Sequence, residues 1–414
     1  MAEQPQVLGL KRSFGFGDRL GLATPGHLDA VKGSGFAPIF AQQSIREMRR
    51  TKREPVEVMR AAVEALKAER WADAWGADAD HLQTEEDVQR TAREGFTFFT
   101  IDPSAHVHKT ADELNDLELE TAYQKLAATG AVQANQAFDL YLGKSFDLGE
   151  GARIDFEDRR ALTRAVVKYG AALAHTKLMN GWIAKACAGR PFELEMSVDE
   201  TPSPTSPLEH LFVGLELKRL GVKLVSLAPR FTGEFEKGID YKGDLQVFEA
   251  DYKRHVAIAK HCGPYKLSVH SGSDKFRIYP IVGRLSGELV HVKTAGTSYL
   301  EALRVAARAD KPLFREIVGF CRGRYETDRA TYHVSAKLGD VPAEPADAEL
   351  ERAYLEHDSG RQILHVTFGS VLGGESGTPP YKQRLLELLH KRADLYREVL
   401  RAHLGKHIKG LLAG

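Results

Sequence analysis

Cysteine is nearly absent from this chain. Cys187, Cys262 and Cys321 are the only three in 414 residues, and no two share a CxxC spacing. That excludes a disulfide framework and a zinc finger. Net charge is also lacking, because Lys plus Arg and Asp plus Glu each number 57. No basic field exists to draw in nucleic acid, and the short cluster Arg49, Arg50, Lys52, Arg53 reads as a solvated helix end. No apolar run approaches membrane-spanning length, and the first residues lack the apolar core of a signal peptide. The expectation is a cytoplasmic protein without a membrane partner. The glycine-rich GFGDRLG lacks the GxGxxG spacing of a dinucleotide loop. No solenoid repeat or low-complexity tract appears.

What is present is ordinary globular material, 43% hydrophobic and 28% charged. Its organising stretch is Glu193 to Thr297, where four apolar runs each end in polar residues. FELEMSVDET carries Glu195, Asp199 and Glu200, and VKLVSLAPRFTGEFEKG delivers Arg230 and Glu234. YKLSVHSGSDKF delivers His270, Ser271, Ser273 and Asp274, and VHVKTAGTS delivers His291, Lys293 and Thr297. Helical patterns separate these runs, which is the signature of strand–helix units around a parallel sheet. In a closed parallel barrel all strand ends open on one face, so these groups converge there.

Upstream, residues 13–23 and 36–42 read as strands flanking a short helix at 25–32, and FTFFTI at 96–101 reads as another strand. Residues 44–95 and 110–190 read as largely helical elaborations. Downstream, 331–338 (TYHVSAKL) and 363–368 (ILHVTF) are further strand candidates, one more than eight strands require. Residues 342–357 read as an acidic helix and 381–412 as one long amphipathic helix. The expected fold is α/β: an elaborated (β/α)8, TIM-like barrel with an additional helical layer, in a single domain over 1–414.

Three strand ends supply His106, Glu234 and His270. Two imidazoles and a carboxylate form an ordinary ligand set for a catalytic Zn, Mn, Co or Ni ion, with a position left for a substrate oxygen. His108, His291 and His365 compete for that role. The last two sit inside apolar runs, where a hydrogen-bonded core histidine is commoner. Glu193 and Glu195 alternate with apolar residues and project to one side of their strand. A carboxylate inside a barrel is costly to bury and tends toward a raised pKa, which suits a general acid or base; Glu195 lies nearer the functional end. Arg230, together with Ser271, Ser273 and Asp274, reads as anion- and substrate-binding. Lys293 reads as a charge-positioning group.

At FFTIDPSAHV, ELEMSVDET, SLAPRFTGEFEKGIDY, LSVHSGSDKF and HVKTAGTSYLEAL the chain resembles the tagaturonate epimerase family of metal-dependent sugar-acid epimerases. The likeness runs in order from about Gly15 to Leu303. It implies a divalent metal held at His106, Glu234 and His270 and a proton donor at Glu195. It also implies a proton acceptor beside the first metal histidine. That neighbour is Ala105 here, which moves the acceptor to Asp102. Substrate contacts are expected from Arg230, Ser271, Ser273, Asp274 and Lys293. The implied activity is epimerisation of a keto-sugar acid or ketose. Alternatives are a metal-dependent aldolase or isomerase on a related sugar, and a noncatalytic carbohydrate-binding barrel. Expected partners are small sugars or sugar acids, with a homo-oligomer left open.

Overall fold

In the computed structural model, residues 4–130, 134–149, 151–374 and 379–414 are described. Ten strands occur among them: β1 Ser13–Gly17, β2 Ala37–Ser44, β3 Gly76–Leu82, β4 Phe98–Ile101, β5 Ser145–Gly149, β6 Ala152–Asp155, β7 Glu193–Ser197, β8 Ser226–Ala228, β9 Lys266–Val269 and β10 Val290–Thr294. Eight close a barrel in the order β1-β10-β9-β8-β7-β4-β3-β2, every neighbouring pair parallel. This is the expected (β/α)8 architecture. The pair β5–β6 is a separate antiparallel hairpin, unforeseen within the stretch read as helical.

Alternation along the strands decides which side chains enter the barrel. In β1, Phe14 and Phe16 pack outward against Phe36 and His27. Ser13 faces inward, and Gly15 lies where an added Cβ would fall 1.7 Å from Gln42 Oε1. The interior is polar for a barrel core, built from Asp78, Thr100, Glu195, Lys266, His291 and Lys293, all buried. At the N-terminal end of the strands Leu8, Ile39, Phe98 and Val225 form a small apolar plug. Each such burial contributes about 1.5–3 kcal/mol. The plug closes that end, so the polar ends of the strands open on the other.

Helices complete the ring. Asp158 caps the 29-residue helix Arg159–Cys187. The last helix, Ala393–Leu412, packs on Thr24–Val31, Tyr279–Ser286 and Thr297–Ala309. Gly26 and Gly410 permit the close approaches to Leu400 and Tyr279.

Several expectations are corrected. The interval 44–95 contains β3, an Asp-Ala alternation (GADADHL) whose aspartates hide its strand character, since Asp is disfavoured in strands unless paired. Neither 331–338 nor 363–368 is a strand. The first is irregular, and most of the second lies in the helix Asp358–Val366, which is buried from Gly360 onward. A short apolar run does not distinguish a buried helix from a strand. Only residues 350–356 of the acidic segment are helical, with Arg352–Glu356 as a π-turn. The C-terminal helix divides into Tyr381–Lys391 and Ala393–Leu412.

Candidate active site

Lys293, projecting inward from β10, is the electrostatic centre of the open end. Its Nζ lies 2.7 Å from Asp78 Oδ2, 2.8 Å from Asp80 Oδ1 and 2.9 Å from Glu195 Oε1. It also donates to Thr100 Oγ1 at 2.5 Å. Three carboxylates around one ammonium leave an excess of negative charge. Burial, with Asp80 and Glu195 nearby, pushes the Asp78 carboxyl up to about 7 although Lys293 opposes it. Burial would also raise Glu195, but Lys293 and His270 outweigh it and hold Glu195 well below the usual carboxylate range. The same carboxylates overcome burial at Lys293 and hold its proton firmly. A Schiff-base role, which needs a neutral amine, does not suit this lysine.

Above this layer, β3, β7 and β9 bring His81, Asp199 and His270 together, with one ligand atom of each within 4.8 Å of the others. Asp199 Oδ1 is 3.7 Å from His81 Nε2 and 3.3 Å from His270 Nδ1. Ligands about 2.1 Å from a tetrahedral ion are separated by about 3.4 Å, so the spacing fits a divalent cation. His81 Nε2 is buried without a hydrogen-bond partner, and its Nδ1 meets Asp80 Oδ1 at 2.8 Å, the outer contact that orients a ligand imidazole. His81 has φ +55°, and the β3–β4 register slips between Ala79 and Leu82. Strain and a bulge there re-aim the side chain into the site. His270 Nε2 donates to Glu195 Oε1 at 2.7 Å. Burial disfavours a proton on His81 and on His270, but Asp80 for the first and Asp199 for both outweigh it, and both pKa values rise. A field that attracts protons to two imidazoles attracts metal cations by the same charge.

The other sequence-expected residues are dispersed. Among the described residues, no group with this ligand spacing contains His106 or Glu234. Asp102 turns the chain after β4 by accepting from Ser104 N at 3.0 Å and from Gln83 Nε2 at 2.7 Å. His106 is thereby carried onto an exposed 3-10 turn, where it stacks on His175 at 4.0 Å. Glu234 meets His333 Nε2 at 2.6 Å on the wall of an outer cavity of about 480 Å³ that also reaches Asp199 and His270. Arg230 lines that cavity, donates to Thr201 O and lies 3.9 Å from Glu234. Ser271 accepts from Lys237 at 2.5 Å. Ser273 is buried, with its carbonyl accepting from Lys275. Asp274 points away toward Arg361 at 2.7 Å and His403 at 2.6 Å.

Asp80 and His81 are hidden at the level of sequence because β3 lies within a stretch, 44–95, whose pattern is largely helical. The available signal was the Asp-Ala-Asp alternation ending in His.

Comparison with known proteins settles the family. Residues 2–411 match the sequence model of tagaturonate epimerase. The chain is 43% identical over 406 residues to the tagaturonate/fructuronate epimerase of Thermotoga maritima, covering 98% of this chain and 82% of that one. It belongs to the tagaturonate epimerase family. This epimerase is therefore an enzyme of the isomerase class. It is also similar to the crystal structure of fructuronate-tagaturonate epimerase from Cohnella laeviribosi in a glycerol complex. That likeness has a TM-score of 0.93 at 38% identity and covers 99% of this chain and 83% of that one. The native crystal form of the same protein gives 0.92. In this epimerase, no helix among the described residues is long and apolar enough to cross a membrane.

Proposed function

We propose that this epimerase interconverts tagaturonate and fructuronate with a divalent cation bound at His81, Asp199 and His270. The observation carrying the reading is the convergence of these three ligands beside the buried Glu195. Zn, Mn, Co and Ni all suit two imidazoles and a carboxylate. When bound, such an ion supplies Lewis-acid polarisation of the substrate ketone.

The reacting carbon lies one bond beyond the carbon next to the carbonyl, where simple enolisation cannot reach its hydrogen. Retro-aldol cleavage and re-addition do reach the stereocentre. A carboxylate removes the hydroxyl proton as the adjacent carbon–carbon bond breaks, giving an enediolate and an aldehyde. The aldehyde turns over its other face, the bond re-forms, and an acid protonates the new alkoxide. Atoms and charge balance, with one proton taken and one returned. We assign the donor to Glu195 and the acceptor to Asp80, whose ionised form is favoured by His81 and Lys293 against the penalty of burial. Asp102 has both oxygens engaged. Lys293 touches and orients both carboxylates, so Glu195, ionised at rest, donates only after the proton taken up by Asp80 has passed to it across Lys293 Nζ.

The test is incubation of purified protein with tagaturonate or fructuronate, followed by NMR, before and after chelation. Inversion that stops on chelation and returns with one of the four ions supports the reading. Undiminished inversion in metal-depleted enzyme refutes the metal, and cleaved three-carbon products would replace the epimerase reading by an aldolase one.

A further inference from the structure

We propose that Lys237 is the residue that selects a sugar acid over a neutral sugar by binding its carboxylate; this rests on the function proposed above. In the function proposed above the divalent cation takes the ketone end of the substrate, so the carboxylate at the other end needs a cation of its own facing the cavity.

Four cations border the outer cavity: Arg46, Lys109, Arg230 and Lys237. Arg46 is paired with Glu200 at 3.0 Å. Arg230 is held by Thr201 O and Glu234. Lys109 is exposed and touches only the outer cavity. Lys293 is enclosed by its own carboxylates. Lys237 differs from all of these. It is half-buried, no carboxylate pairs with it among the described residues, and its Nζ donates to Ser271 Oγ, the residue after His270. It also lines the inner recess with His81, Asp199 and His270. Glu200 feels its charge but is bonded to Arg46. A half-buried ammonium without a counterion gains from an arriving carboxylate, which it binds by a charge-assisted hydrogen bond.

The backbone around Lys237 is unusually well held. Lys275, fully buried, donates to Glu236 O at 2.9 Å and Ile239 O at 2.5 Å. Arg361 donates to Gly238 O at 2.7 Å. The Glu236 carboxylate accepts from Lys242, Ser335 and Gln362. Two buried cations thus serve the carbonyls on either side of Lys237, although neither faces the reacting groups. That arrangement fixes where Nζ can reach and lowers the ordering cost of binding.

Steady-state kinetics of K237M, K237Q and K237R on tagaturonate, with D-tagatose as a neutral competitor, test the proposal. Loss of a charged hydrogen bond predicts a 10- to 100-fold rise in KM for tagaturonate in K237M and K237Q, with kcat within about threefold. The inhibition constant for D-tagatose is expected to stay within about twofold, and K237R to recover most of the lost affinity. An unchanged KM, or a parallel weakening of D-tagatose, overturns the assignment. K237Q keeps a polar side chain and serves if K237M does not fold. Failure of the native protein to turn over tagaturonate would instead remove the function on which the proposal rests.

Discussion

Lys293 Nζ lies 2.9 Å from Glu195 Oε1 in the middle of the barrel, where neither side chain is more than 4% exposed. This contact ties the catalytic layer to the fold, because the same ammonium neutralises Asp78 and Asp80. Lys293→Met therefore strands several buried carboxylates at once. The expected loss is roughly 3–5 kcal/mol, visible as a large drop in thermal midpoint at neutral pH and a smaller one at pH 5, where protonation relieves the excess charge. A midpoint that falls equally at both values would contradict this account.

Glu195→Gln keeps the shape of the side chain but cannot exchange the proton. Turnover should fall by about 10²- to 10⁴-fold with KM little altered. A variant retaining most of its kcat would move the acid elsewhere.

The ligand assignment separates two histidines. Asp199→Asn and His81→Ala are each expected to weaken divalent-cation binding at least tenfold, read by competition with a chelating dye. His106→Ala, on its exposed turn, should stay within twofold of the native protein. Reversal of that order would restore His106 as a ligand.

Acid should weaken the fold through buried histidines. Burial pushes His27 down to about 4 and His291 and His407 to about 3. The unfolded chain takes up these protons below about pH 6.5 while the native state refuses them, so stability is present above that pH and declines as pH falls toward 4 and 3. The loss at pH 5 is on the order of 2 kcal/mol per residue. His27→Gln should reduce the shift in thermal midpoint between pH 7 and pH 5; an undiminished shift would count against the assignment.

Asp274 is gripped by Arg361 and His403, and its own amide donates to His407 Nε2 at 2.9 Å. With that nitrogen already accepting, we read the Asp274, His403 and His407 cluster as a clasp between the end of β9 and the last helix. Asp274→Asn and Arg361→Met should each cost roughly 3 kcal/mol. The double variant should cost clearly less than the sum, because the partners share one interaction. Additive losses would mean that the pair is not coupled.

How far the molecule can be read from its residues varies with the kind of signal. Apolar runs such as FTFFTI, FELEM, YKLSV and VHVKT are strands wherever they are buried, and helical spacing between them leads to a parallel barrel. Glu195, His270 and Lys293 were legible for the same reason, since each ends or interrupts an apolar strand. The alternation in GADADHL did not reveal a strand, because its inward positions are aspartates that become tolerable only when Lys293, more than two hundred residues later, closes over them. His106 and His81 show the complementary limit. The first follows a strand and the second lies near the end of one, but Asp102 turns the first outward, while a bulge and a left-handed φ turn the second in. The residues alone determined the barrel and the kind of chemistry. Which histidine meets His270, and which lysine reaches the cavity unpaired with any carboxylate among the described residues, was decided by tertiary structure, because strand register and the pairing of distant charges exist only once the barrel has closed.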